Sequence, residues 1–474
     1  MFGKPQLTAN ALAVTRHLLV HGPASRSHLG QRLSLSDASM SRVAQTLMRD
    51  GIVVETLDPG PRVGRPRQLM SAISTARHVV GVKLTSDTAY GVACDLYGEV
   101  LDSARLRLPP RDTHDHVPLT GAVRVIARLV QRLTKRLPDL DGVGLSLGGV
   151  VDERAVVREG SFLGWRDVDM AKQLREATDV PVVVTNDVTA LAREELWFGA
   201  GRTHSTFGLI TVGAGLGFGL VREGHVVEQL IDNGHLLGHS PINTAGPRCS
   251  LGHRGCVAAY LYRDEVEARL GRETGGSLTF AELLRDPAYA ESHWMTEAAQ
   301  ALGHLVATVA GALQTDRIVL AGEDVEPLFA SPMVHVTIAD RLRPGPHETQ
   351  RCVLDVSTAP LTFTDWARGA AVPACSTSSG HPRPGSRPLS RVTHQDSVWV
   401  DPPAEPEPGE APLGHPVPRR GADGEPRLCR TVVRRTRGAS SGRRGWVWIP
   451  RRSPPASAAV GRSVTTRRAR RRHG

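Results

Sequence analysis

Apolar residues recur at helical spacing through the first fifty positions and then change to strand-like runs. Leu12, Val14, Leu18 and Leu19 lie at near-helical intervals and are stopped by His21-Gly-Pro. Ser25 is placed to cap a second short helix carrying Leu29 and Leu33. After Ser34-Leu-Ser, the segment from Asp37 to Arg49 turns Met40, Val43, Leu47 and Met48 to one side. Two short helices, a tight turn and a third helix predict a helix-turn-helix. Ile52 to Leu57, the turn-rich Asp58-Pro-Gly-Pro-Arg-Val-Gly-Arg-Pro-Arg67 and Gln68-Leu-Met then predict strand, loop, strand, which is a wing.

From Val79 the pattern alternates strands with helices, so the expected class is α/β. Val79 to Leu101 reads as a β-meander turning at Tyr97-Gly98, and Val117 to Arg136 as a helix with Val123, Ile126, Leu129, Val130 and Leu133 on one face. Gly142-Val-Gly-Leu-Ser-Leu-Gly-Gly-Val-Val-Asp152 is a strand running into glycines, and Trp165 is expected in the core rather than at a ligand. Val180-Pro-Val-Val-Val-Thr185 is a buried strand that ends at Asn186-Asp187, where a helix from Val188 to Phe198 begins. Phe207 to Val221 predicts two strands joined through Gly213, Gly215 and Gly217. A long helix from Thr296 to Leu313 precedes the strand Arg317-Ile-Val-Leu-Ala-Gly-Glu323.

Charge divides this pattern into three. The net +10 is spread as about +6 up to His78, about −9 from Val79 to Ala370 and about +13 beyond, so the basic character belongs to the two ends. Six cysteines without regular spacing argue for a reducing compartment. No run approaches the roughly 20 apolar residues of a membrane span, and the first ten residues lack a signal-peptide core. A cytoplasmic protein without a membrane partner is expected.

Three places carry candidate chemistry. The first turn of the third helix offers Ser36, Ser39, Ser41 and Arg42 to phosphates and base edges, and the wing adds Arg62, Arg65 and Arg67, so double-stranded DNA is the expected partner. Asn186 and Asp187 stand where ligands are met in open α/β sheets, although the same pair would serve as a plain helix cap. Gly213, Gly215 and Gly217 either cradle phosphate or sugar oxygens through their amides or mark only a tight hairpin.

Taken together, the strand, Asn186-Asp187, the helix ending Phe-Gly-Ala-Gly-Arg202 and Thr-Val-Gly-Ala-Gly-Leu-Gly217 resemble the ROK family of sugar kinases and sugar-responsive repressors. The winged helix-turn-helix with Gly64-Arg-Pro-Arg67 resembles the one fused to ROK repressors. The resemblance implies a two-lobed, actin-like ATPase fold over residues 79–372 behind a DNA-binding segment at 1–78. It further implies a homodimer or higher homo-oligomer, and a sugar effector held by Asn186, Asp187 and His239. It matches His239, Cys249 and Cys256 to family zinc ligands, with Leu251 at a missing cysteine position and His253 the candidate fourth ligand. Leu236 stands where the family has a sugar-binding glutamate, and Lys83-Leu-Thr-Ser-Asp87 stands where family kinases have Asp-x-Gly-Gly-Thr. Loss of that loop weighs against ATP and against catalysis. A regulator is the preferred reading, with no catalytic residue, and a hexose kinase using Asp187 as its base is the alternative.

Arg368-Gly-Ala-Ala-Val372 resembles the start of the family's closing helix, which Pro373 is expected to interrupt. Residues 373–474 are dominated by Pro, Arg, Ser and Gly and are expected to be disordered. Either this is a basic DNA-binding tail or a shifted reading frame; the abrupt change inside an expected helix favours the second.

Overall fold

A computed structural model describes residues 7–57, 67–199, 201–227, 237–276, 278–343, 353–359 and 362–374. The amino-terminal segment forms helices α1 (Ala9–His21), α2 (Arg26–Arg32) and α3 (Asp37–Arg49). Each starts where a hydroxyl can take a first-turn amide: Thr8, Ser25 and Ser36 all cap in this way. Strands β1 (Val53–Leu57) and β2 (Gln68–Ala72) pair antiparallel with Val53 opposite Ala72, which is the stem of the expected wing. Leu18, Leu29, Met40, Leu47, Ile52 and Met70 fill the core between them. The wing tip at 58–66, with Arg62 and Arg65, lies outside the described residues, as does everything from 375 onward.

The remainder is two lobes with one repeated plan. In the first sheet β3 (His78–Leu84), β4 (Thr88–Asp95) and β5 (Val100–Arg107) form an antiparallel meander, and β6 (Gly142–Leu147) and β10 (Val182–Asn186) add in parallel to give the order β10-β6-β3-β4-β5. A small sheet of β7 (Val150–Val151), β8 (Val157–Gly160) and β9 (Trp165–Val168) hangs beside it. In the second lobe β11 (Phe207–Val212), β12 (Leu216–Arg222) and β13 (His225–Val227) repeat the meander, and β14 (Arg317–Ala321) and β15 (Asp355–Thr358) repeat the parallel additions. Helices α4 (Leu119–Thr134) and α5 (Met170–Thr178) cover the first sheet, and Trp165 is buried there with its indole N–H donated to the Val117 carbonyl at 2.7 Å, a core role as expected. The long helix of the second lobe spans His293–Leu313, starting at its Ser292 cap, slightly earlier than its apolar spacing suggests.

Two helices run between the lobes. One is α6 (Asp187–Trp197); the other is the closing helix Phe363–Ala374. Their approach is set by glycines with no room for a side chain. A Cβ on Gly81 would stand 1.8 Å from the Ala367 carbonyl oxygen, one on Gly144 1.8 Å from that of Ala370, and one on Gly369 2.1 Å from that of Ala190. Pro373 does not interrupt this helix, contrary to expectation: it sits inside it, and the helix continues to Ala374. A proline costs about 3 kcal/mol in a helix interior, but here the lost bond falls in the last described turn, and Ala370, Ala371 and Ala374 around it are buried.

The helix-turn-helix is seated across both lobes. Leu96, at the β4–β5 turn of the first lobe, is buried in its core. Arg16 of α1 donates to the Gly224 carbonyl of the β12–β13 turn at 3.1 Å, and Arg202 of the second lobe donates to the Val20 carbonyl at 2.9 Å.

Candidate functional site

The outer face of α3 is the candidate DNA surface. Its helical period leaves Arg42 exposed, with Ser36 exposed at the cap and Ser39 and Ser41 half-buried. Ser36 and Ser39 are engaged locally: the Ser36 hydroxyl accepts from the Ser39 amide at 3.3 Å and donates to the Ser39 hydroxyl at 3.0 Å. Gln45 was missed by sequence reasoning; it is exposed three residues after Arg42, on the same face, a spacing that could have identified it. Arg67 is exposed at the base of the wing. Arg26 makes a two-pronged ion pair with Glu55, at 2.5 and 2.8 Å, which ties α2 to β1.

The second site forms where β10 meets α6, because the strand's last residue is also the helix cap. Asn186 Oδ1 accepts from the Val188 and Thr189 amides at 2.8 and 3.2 Å, and its Nδ2 donates to the Gly149 carbonyl at 2.7 Å. Asn186 is therefore a cap and a strut holding the β6–β7 glycines. Gly149 must be glycine, since its φ is +128° and a Cβ would lie 2.0 Å from the Glu159 carbonyl oxygen.

Asp187 is not a free carboxylate. Its Oδ1 accepts from the Val188 amide at 2.9 Å, and its Oδ2 is ion-paired with the Lys83 ammonium. The Lys83 side chain is only 7 % exposed and that of Asp187 20 %. All seven residues of β3 are buried, so a lysine there has to find a counter-charge. That pattern was legible in Val-Val-Gly-Val-Lys-Leu84, but the sequence reading counted Lys83 only as a lost phosphate loop. Beside the pair, Phe162 is 48 % exposed, and a Cβ on Gly148 would touch both its ring at 2.9 Å and Asp187 Oδ2 at 3.4 Å. An exposed aromatic at this spot can stack on a sugar ring; the sequence reading had weighed only Trp165.

None of Gly213, Gly215 and Gly217 takes a positive φ, and the Gly213 amide is spent on the Gly215 carbonyl at 3.0 Å. Gly217 instead permits close packing, for a Cβ there would lie 2.4 Å from Val188 Cγ2 on α6. At the end of β14, Glu323 and Asp324 both pair with Arg263 at 3.0 Å.

His239, Cys249, His253 and Cys256 come together, with one donor atom of each within 4.8 Å of all the others. Both thiol sulfurs lie 3.7 Å from His239 Nδ1. Zn–S bonds of ~2.3 Å and Zn–N bonds of ~2.0 Å at tetrahedral angles place donors about 3.6 Å apart, so the set fits that ion's geometry. The loop is shaped for it: the Cys249 amide bonds the His253 carbonyl at 3.0 Å, and Gly252 and Gly255 turn at φ +86° and +56°. Leu251, at the missing cysteine position, is 56 % exposed. His239 turns Nδ1 to the thiols, and Leu236 lies outside the described residues.

Known proteins resemble this chain. The ROK family matches residues 79–372. The xylose repressor of Bacillus spizizenii is 26 % identical over 259 residues, covering 53 % of this chain and 65 % of that protein. The DNA-binding transcriptional dual regulator NagC of Escherichia coli is 26 % identical over 266 residues, covering 55 % and 64 %. The matched region is thus slightly less than two thirds of these relatives' length. A crystal structure of a ROK family transcriptional regulator, a homologue of the E. coli Mlc protein, superposes with a TM-score of 0.63 at 20 % identity over 77 % of this chain and 95 % of that one, and so shares the fold.

Proposed function

Because this chain belongs to the ROK family, matched over residues 79–372, we propose that it is a DNA-binding transcriptional regulator whose two-lobed core senses a sugar or sugar derivative. The observation that carries the reading is the seat of the helix-turn-helix across both lobes, combined with an Asp187 already engaged by Lys83. A sugar entering between the lobes meets Asp187 at the first residue of α6 and Phe162 beside it. At its far end, α6 leads into Trp197 and Phe198, which line a small cavity together with Leu12 and Thr15 of α1 and Arg368 of the closing helix. Eleven residues at ~1.5 Å rise make α6 a rod of roughly 16 Å between the sugar site and that seat. Ligand-driven closure of the lobes therefore shifts the platform under α1.

Two features speak against phosphoryl transfer. A general base has to accept the proton of the attacking hydroxyl, and the Asp187 carboxylate is held by a buried ammonium. Phosphoryl transfer also depends on positioning and charge stabilisation around the phosphates, for which Lys83-Leu84, in place of a glycine loop with a leading aspartate, is unsuited. The kinase alternative keeps one observation in its favour, the aspartate itself at the end of β10.

Zn2+ held by His239, Cys249, His253 and Cys256 has a structural role here, fixing a loop against the second lobe's core. DNA recognition is assigned to Arg42, Gln45, Ser36, Ser39 and Ser41, with Arg62, Arg65 and Arg67 on the wing, in a homodimer reading a palindrome. The test is operator binding with and without sugar, for the protein as it stands and for Asp187→Asn. Sugar should release, or tighten, the wild type's hold on DNA, and Asp187→Asn should weaken that response. Sugar phosphate formed from ATP by the wild type and lost in Asp187→Asn would decide for the kinase.

A further inference from the structure

A polar groove of about 530 Å3 lies between α2 and the root of the wing, and we infer that it seats the sugar-phosphate backbone of DNA in a grip that tightens when His28 is protonated. The inference rests on the regulator reading and deepens its account of the DNA contacts. The polar groups of the groove divide into spent and unspent. Glu55, the one carboxylate among its lining residues, is neutralised by the two bonds from Arg26. The Ser25 hydroxyl accepts from the His28 amide at 3.3 Å and so is taken up in capping α2. Donors are what remain. His28, Gln31, Arg67 and Gln68 line the groove and are exposed, and among the described residues none of their side chains has a hydrogen-bond partner. A lining rich in unspent donors, with its only acid already paired, fits the acceptor-only oxygens of a phosphodiester chain.

Two more imidazoles stand behind His28. His17 and His21, one turn apart on α1, have ring centres 4.5 Å apart, and the His28 ring lies 5.8 Å from that of His17. Burial lowers the pKa of both α1 histidines, and their neighbours push the same way: His17 faces His21, His28 and Arg32, and His21 faces Arg32, Arg16, Arg202 and His28. Every one of these groups, from α1, α2 and the second lobe, is cationic or becomes so on protonation. Arg26 and Arg67 add to them from the groove, and Glu55 is already paired. The missing counter-charge is an anion. A phosphate beside the cluster favours the charged imidazole, so DNA takes up a proton as it binds. Protonated His28 donates from both ring nitrogens, and its bond to a phosphate oxygen is charge-assisted. This contribution is full at acid pH and is lost as the pH rises through the pKa in the complex. Because backbone contacts carry no sequence information directly, the effect extends to any duplex.

Fluorescence anisotropy of the full chain on a random-sequence duplex, at constant ionic strength and at about pH 8 and about pH 6, tests this. The wild type should bind about threefold or more tightly at the lower pH, since one proton taken up is worth up to about tenfold per pH unit. His28→Gln keeps a donor but cannot titrate, and should show the weaker affinity at both pH values. His28→Lys, charged throughout, should show the tighter one at both, a rescue that a merely structural role would not give. At the lower pH the wild type's dependence of log affinity on log salt should be steeper than that of His28→Gln by about one. Equal wild-type affinity at the two pH values, or a His28→Gln variant that keeps the wild-type pH dependence and salt slope, overturns the inference. So does polyglutamate that displaces the duplex at equal charge concentration, which would give the groove to an acidic protein segment. A chain that binds no duplex at either pH fails the regulator reading as well, whereas one that binds equally at both fails this inference alone.

Discussion

A lysine on a wholly buried strand has to be neutralised, and Lys83 meets this condition through Asp187 rather than through solvent. Removing one partner of a buried pair strands the other, at a cost of about 3 kcal/mol. Lys83→Met should therefore lower stability by about that amount in denaturant melts, and adding Asp187→Asn should restore most of it; a single variant as stable as the wild type would contradict the pair's structural weight. A second buried pair links α6 to the closing helix. Arg368 donates from Nε to Glu194 Oε2 at 3.0 Å and from Nη2 to Oε1, while its guanidinium stands 5.1 Å from the centre of the Phe198 ring. Burial pushes the Glu194 carboxyl up from 4.5 to about 8, with Arg368 pulling the other way. A carboxyl raised in the folded state contributes stability that is full below its unfolded value and lost as pH rises through its folded value. Stability should hence decline between about pH 4.5 and 8, and Glu194→Gln should flatten that decline in thermal melts across the range. An unaltered slope in the variant would refute the assignment.

At the scale of elements, the positions of many helices and strands follow from local chemistry that the chain displays openly. The Ser25 cap, the stem of the wing and the hairpin through Gly213 and Gly215 are legible from spacing and turn residues, while the Thr8 and Ser36 caps emerge in the fold. What was not legible depends on long-range contact. The pairing of Lys83 with Asp187 joins residues 104 positions apart, and survival of the closing helix through Pro373 depends on packing against Gly81 and Gly144, far off in the chain. The four residues of the metal loop were legible in the chain; what spacing left open is that His253 closes on the other three despite Leu251 at the missing cysteine position. Elemental analysis should find close to one zinc per chain, and chelation should lower the melting temperature, as expected where metal binding is coupled to folding; a metal-free protein that melts identically with and without chelator would rule the site out. On α3, replacing Arg42 and Gln45 together by alanine should cost about 1–3 kcal/mol per base contact and relax sequence preference. Anisotropy titrations that find operator affinity and preference both intact would move recognition to another face.

At the scale of the molecule, two lobes of the same plan are bridged by α6 and the closing helix, and the helix-turn-helix sits on the turns of both. Among the described residues no helix is long and apolar enough to cross a membrane. In the proposed regulator, the seat on both lobes would make a sugar in the cleft felt at the DNA, since a change in lobe angle could not leave α1 in place on both supports. The most direct test is one titration: the full-length protein against a duplex selected by it from a random pool, followed by fluorescence anisotropy with and without a panel of neutral and acidic sugars. The account predicts sequence-selective binding that weakens with salt and a sugar-induced change in affinity of about 5-fold or more. Binding that no sugar alters, or no selective DNA binding at all, would contradict it.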